Sequence, residues 1–173
     1  MSACSECAGR RLAFDRACAA VCYTAPVRSL VRAWKERGLR RLAAVAAELV
    51  CRHVPRPAAD VITYIPPDGD RSVKRGHQPA HALAKALGER WELPVASLLT
   101  RARPVARQTE LSRIARRRNV RGAFRAARSF VPASVVLVDD VYTTGATVDA
   151  AAAALRAAGA GEVLVVTFAR AVR

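Results

Sequence analysis

Several things are scarce in this sequence, and each scarcity narrows what the chain can be. Aromatic side chains make up only 5% of the 173 residues, too few for a surface that reads RNA by stacking bases on rings. No apolar stretch approaches the roughly 20 residues that a bilayer-spanning helix needs. The opening Met1-Ser-Ala-Cys-Ser-Glu-Cys7 contains no apolar run able to act as a signal peptide. A cytoplasmic protein with no membrane partner is expected, its five cysteines serving as thiols or metal ligands rather than disulfides. Acids are scarce too: 14 against 29 basic residues, for a formal charge of +15. Lysine is almost missing, confined to Lys35, Lys74 and Lys85. Codon bias can exchange lysine for arginine, but it does not remove acids. The imbalance therefore favours anionic partners such as phosphates, nucleic acids or acidic proteins.

What is present suits one α/β domain behind a short polar appendage, residues 1–16. Hydrophobic residues amount to 52% and include much alanine, which favours helix. Ala17 to Tyr23 reads as a strand. From Pro26 to Val54 two amphipathic helices are predicted, broken at Gly38: Val27, Leu30, Val31 and Trp34 recur at helical spacing in the first, and Leu39, Leu42, Val45, Ala46, Leu49 and Val50 in the second. Ala59–Ile65 reads as a buried strand stopped by Pro66-Pro67, followed by a charged turn over 68–76. A helix carrying Ala80, Leu83, Ala84 and Leu87 on one face comes next, then a short strand over Pro94–Leu99. Residues 101–128 hold ten arginines and a single acid, Glu110, and are expected to be partly helical. Val135–Val138, a helix over Val148–Ala158 and Val163–Phe168 form a βαβ crossover, which implies a parallel sheet.

The chemistry is concentrated in Val135-Val-Leu-Val-Asp-Asp-Val-Tyr-Thr-Thr-Gly-Ala-Thr147. A buried parallel strand delivers Asp139 and Asp140 to the carboxyl edge of the sheet, where open α/β folds place ligands. Adjacent carboxylates there need a partner: sugar hydroxyls, a metal ion or arginines. Thr143-Thr-Gly-Ala-Thr147 then offers hydroxyls and free backbone N–H groups at a helix N-terminus, suited to a phosphate. An acidic pair for a diol beside a cradle for a phosphate describes a ribose 5-phosphate.

Across all thirteen positions this segment resembles the signature of type I phosphoribosyltransferases, with Tyr142 its least usual member. The resemblance implies that Asp139 and Asp140 hold the ribose 2′- and 3′-hydroxyls of 5-phosphoribosyl-1-pyrophosphate. It gives the 5′-phosphate to Thr143, Thr144, Gly145, Ala146 and Thr147, and implies Mg2+ with the donor. Purine-salvage members carry a carboxylate where this chain has Thr143, which disfavours hypoxanthine-type salvage. Almost end to end the chain also resembles the ComF branch. The marks are Val31-Arg-Ala-Trp-Lys35 with Gly38, Asp60-Val-Ile-Thr-Tyr-Ile-Pro66, Lys74-Arg-Gly76 before Leu83-Ala84, and Leu99-Thr-Arg101. Gln108, Leu111, Arg116, Asn119 and Ala123-Phe124 complete them. Relatives often read Arg-Gly-Phe-Asn-Gln where this chain has Arg75-Gly-His-Gln-Pro79. The branch implies a type I phosphoribosyltransferase-like parallel sheet flanked by helices over 17–173, behind a partial zinc-ribbon-like segment at 1–16.

Two functions follow from the resemblance. One is transfer of the phosphoribosyl group to an acceptor that the sequence does not name, with Lys74 and Arg75 offsetting charge on the departing pyrophosphate. The other is a non-enzymatic role in DNA uptake or utilisation, with single-stranded DNA or a competence protein as partner. Cys4-x-x-Cys7 reads as half of a zinc site; structural zinc normally takes four ligands, and Cys18 and Cys22, at an irregular x-x-x spacing, could complete it. In the branch this pair closes a ribbon whose first pair lies upstream, with Cys18 and Cys22 as small residues of a strand. His53, His77 and His81 show neither metal-ligand nor triad spacing.

Overall fold

The computed structural model describes residues 11–39, 41–67, 77–102 and 122–171. Four parallel strands form the central sheet: β1 (Arg16–Cys22), β2 (Val61–Tyr64), β5 (Ser134–Tyr142) and β6 (Glu162–Arg170), in the spatial order β1-β6-β5-β2. The helices are α1 (Ala25–Arg37), α2 (Leu42–His53), α3 (Pro79–Trp91) and α4 (Ala146–Ala157). A small antiparallel pair, β3 (Leu99–Arg101) with β4 (Phe124–Ala126), forms a second, two-stranded sheet.

Unbroken runs of β-branched residues explain the centre. Strands β5 and β6 are buried on both sides, and so read as continuous apolar segments rather than alternating ones. Val136, Val138, Leu164 and Val166 point to one side, where Val31 and Trp34 of α1, Ala47 and Val50 of α2 and Leu83, Leu87 and Trp91 of α3 cover them. Val135, Leu137, Val163 and Val165 point to the other, beneath Val148, Ala151, Ala152 and Leu155 of α4, together with Phe14, Leu99 and Phe124. Proline opens α1 and α3, where its missing N–H costs nothing. Gly38, at φ 64°, ends α1 in the left-handed conformation that L side chains resist.

The predicted helical hairpin at 26–54, the helix after residue 78 and the βαβ crossover all form. Four expectations need correction. Leu30, Leu39 and Val45, expected on the apolar helix faces, are exposed, and Leu39 precedes α2. Pro94–Leu99 is not a strand: Val95 makes a single bridge to Ile62, through the bonds Ile62 N–H to Pro94 O and Ala96 N–H to Ile62 O, and β3 begins at Leu99. Strand β4 lies inside the arginine-rich segment, where charge hid a short apolar signal around Phe124; residues 103–121 of that segment lie outside the described residues. Helix α4 starts at Ala146 rather than Val148, and β5 continues to Tyr142, so the acidic pair is inside the strand.

Candidate functional site at the carboxyl edge of the sheet

In register, Asp139 stands opposite Thr167 and Tyr142 opposite Arg170, at the carboxyl ends of the two central strands. Thr167 is fully buried, its hydroxyl donating to the Ala169 carbonyl at 3.3 Å. Asp139 therefore sits over a closed floor and retains only partial exposure. Its Oδ1 accepts the Asp140 backbone N–H at 2.9 Å. Burial lifts the Asp139 carboxyl from the usual range to about 7, and the neighbouring Asp140 carboxylate pushes the same way.

Asp140 continues the side of β5 that holds Val136 and Val138, which brings it beneath α1. There Lys35 Nζ lies 2.7 Å from Asp140 Oδ2, with only 10% of the Asp140 side chain exposed. Burial alone would push the Lys35 ammonium down. The Asp140 carboxylate, with Asp139 and Tyr23 beyond it, more than reverses that and holds Lys35 above the usual lysine range. Lys35, part of the Val31–Lys35 motif, has no assigned role in the sequence pattern, yet it belongs to the site. A signal was present: Lys35 is four residues after the buried Val31 and next to the buried Trp34, and a lysine at a core-facing position needs a carboxylate.

The turn after β5 is built around Gly145, whose φ of 74° and buried position suit no side chain. A Cβ there would strike the Tyr142 phenol ring, 2.7 Å from its Cζ. Tyr142 is fixed in turn, its ring edge-on to Phe14 at 6.4 Å and beneath the Arg170 guanidinium at 5.5 Å. The least usual residue of the motif is thus the wall against which the turn packs. Gly145 is the N-cap of α4 and has no side chain to cap it; the Thr144 hydroxyl accepts the Ala146 N–H at 3.4 Å, and the next amides of the first turn face the turn without an intrahelical acceptor. Thr143 is exposed and Thr144 and Thr147 are partly so, while Ala146 is buried. The α4 acid nearest this end, Asp149, is engaged elsewhere, accepting the Ala13 N–H at 2.8 Å.

The acidic pair and the 143–147 turn are therefore contiguous on one edge of the sheet. From β3, Arg101 Nε donates to the Pro66 and Pro67 carbonyls at 3.1 and 3.0 Å, tying the β3–β4 pair to the exit of β2 on that edge. Lys74 and Arg75 lie outside the described residues, as do Cys4 and Cys7. Among the described residues no three His, Cys, Asp or Glu side chains are grouped to hold a metal ion, and no helix is long and apolar enough to cross a membrane.

Comparison with known proteins identifies the family and the fold. The phosphoribosyl transferase domain family matches residues 34–172. DNA utilization protein YhgH of Salmonella typhi is 32% identical over 94% of this chain and 75% of its own. Competence protein F of Haemophilus influenzae is 29% identical over 97% of this chain and 78% of its own. Among solved structures, the allosteric regulatory enzyme of purine biosynthesis superposes with a TM-score of 0.51 and 26% identity. That likeness covers 74% of this chain but only 25% of the larger enzyme. The chain belongs to the phosphoribosyl transferase domain family and, within it, to the ComF branch.

Proposed function

We propose that the chain binds 5-phosphoribosyl-1-pyrophosphate at the carboxyl edge of β5 and transfers its phosphoribosyl group to an acceptor. One observation carries the reading: a carboxylate pair and a helix N-terminus, joined by a glycine turn that no side chain can fill, share one edge of the sheet. Asp139 and Asp140 accept from the ribose hydroxyls, and the 143–147 turn donates to the 5′-phosphate. A nucleophile then forms a bond to the anomeric carbon as the bond to pyrophosphate oxygen breaks. The protein's contribution is orientation and stabilisation of charge on the departing group. Lys74 and Arg75 are assigned to that group on the family resemblance alone.

The residues present do not make a protein-held magnesium site. One Asp140 oxygen is in contact with an ammonium, one Asp139 oxygen accepts an amide, and the described residues add no third acid. Magnesium therefore belongs to this reading as part of the substrate, carried by the donor's phosphates.

Calorimetry with the phosphoribosyl donor and magnesium tests the proposal. The wild type is expected to bind. Asp139→Asn with Asp140→Asn is expected to weaken binding by about a hundredfold or more, since two charge-assisted hydrogen-bond sets are lost. Absence of binding by the wild type defeats the reading.

A second reading has its own support. The two curated relatives carry names that refer to DNA utilization and competence, and a charge of +15 suits a polyanion. In that reading the partner is single-stranded DNA or a competence protein, and the site senses a phosphorylated ribose rather than turning it over. Cytoplasmic placement belongs to both readings.

A further inference from the structure

The Lys35–Asp140 contact is unusual for what it does to the acidic pair. A carboxylate pair on a sheet edge would ordinarily attract any divalent cation in solution, by charge alone. Here a cation is already installed. It is not a drifting surface lysine: α1 is anchored through Val31 and Trp34, each 1% exposed, and Lys35 follows them on the same buried side. Only 36% of its side chain is exposed, against 76% for Arg32 one turn earlier on the same helix.

We propose that Lys35 is a resident counter-cation that keeps bare divalent metal off Asp139 and Asp140, so that the site admits magnesium only as the chelate of an incoming phosphate ester. The clause about the ester rests on the phosphoribosyl reading above; the exclusion of bare metal does not.

Charge decides between the two forms of the metal. A naked dication arriving beside Asp140 meets the Lys35 ammonium within a few ångströms, and like charges so close repel strongly where water is partly excluded. It must also find oxygen ligands, and two of the four carboxylate oxygens are taken, one by Lys35 and one by the Asp140 amide. A metal bound to pyrophosphate carries net negative charge and brings its own oxygens. The same ammonium attracts that species. Lys35 thus positions Asp140 and selects the form in which metal enters.

The test uses the whole chain without any phosphoribosyl donor. Free Mn2+ is followed by electron paramagnetic resonance during titration, and the thermal midpoint is measured with and without Mn2+. The wild type and Lys35→Arg are expected to bind Mn2+ weakly and to show no midpoint shift. Lys35→Met and Lys35→Gln are expected to bind it about tenfold tighter or more, as removal of one close like charge requires. Asp139→Asn with Asp140→Asn, placed in the Lys35→Met background, is expected to return the affinity to the wild-type level. A lysine with a merely structural role would, when lost, leave metal affinity unchanged or lower it, so a gain is diagnostic. Two uncharged replacements of different polarity keep the answer from depending on one variant folding. The inference is overturned if folded Lys35→Met or Lys35→Gln binds Mn2+ no tighter than the wild type, or if the wild type already binds as tightly as they do. Because no donor is present, a failure here is separate from a failure of donor binding.

Discussion

Asp139 shows how a single residue trades stability for a site. Its carboxyl titrates near 7 in the folded chain because burial and Asp140 disfavour the charge, against about 3.9 unfolded. The folded state therefore binds a proton more tightly between those values. The resulting stability is fully present below about pH 4 and is lost as pH rises through about 7. Partial exposure of Asp139 lets water screen part of the effect, so the whole shift does not convert into stability. Asp139→Asn keeps an oxygen for the Asp140 amide but carries no charge. It is expected to be more stable than the wild type by about 1–2 kcal/mol at pH 8, with the gap closing toward pH 4. Urea unfolding across that range checks it, and a difference independent of pH would count against the argument. Lys35 runs the other way, its raised pKa supplying stability that is present below the usual lysine range and lost only at higher, alkaline pH.

Helix α1 is the element on which the site's electrostatics depend. Arg28, Arg32 and Glu36 face solvent, and its attachment runs through Val31 and Trp34. Trp34 meets Phe168 of β6 edge-to-face at 6.4 Å, and its indole Nε1 is buried with no partner among the described residues. Trp34→Ala is expected to cost about 3–5 kcal/mol, as large aromatic truncations in packed cores do. Trp34→Phe is expected to cost clearly less, because it also removes an unsatisfied donor. Chemical denaturation of both variants makes the comparison. Equal costs would mean that the indole N–H finds a partner, and a negligible cost for alanine would mean that α1 is held by something else. The 143–147 turn depends on an element in the same way. Tyr142 closes β5, Gly145 opens α4, and the turn between them keeps its shape because a fixed phenol stands where a Cβ would go.

Over the whole molecule, the first strand pairs with the last: β1 forms the edge beside β6, and the order β1-β6-β5-β2 puts the two strands of the crossover at the centre. The segment leading into β1 is bound to the domain as well. Phe14 is in the core, the Asp15 N–H donates to the Val163 carbonyl at 3.0 Å, and Arg156 pairs with Asp15. Net charge acts at this scale too. If the second reading holds, binding of single-stranded DNA should weaken steeply with salt, by a slope of about 0.7 per neutralised phosphate. Replacing Arg116, Arg117 and Arg118 with alanine is then expected to reduce that slope by about 2. Gel-shift titrations at several salt concentrations measure it, and a flat salt response would set that reading aside.

Sequence alone determined the parts that depend on local pattern. Apolar runs marked β5 and β6, helical spacing and Gly38 marked α1 and α2, and thirteen consecutive residues marked the acidic pair and the turn beside it. These signals are legible because strand, turn and helix N-terminus follow one another in the chain, so sequence neighbours are neighbours in space. Tertiary structure decided what lies far apart in the chain: that Lys35, more than a hundred residues before Asp140, reaches its carboxylate; that Phe14 and Arg170 fix Tyr142; and that a strand hides among arginines at 124–126. No periodicity encodes such contacts. They arise when packing α1 against β6 brings a side chain from one end of the chain over a charge near the other, and only the closed fold sets that distance.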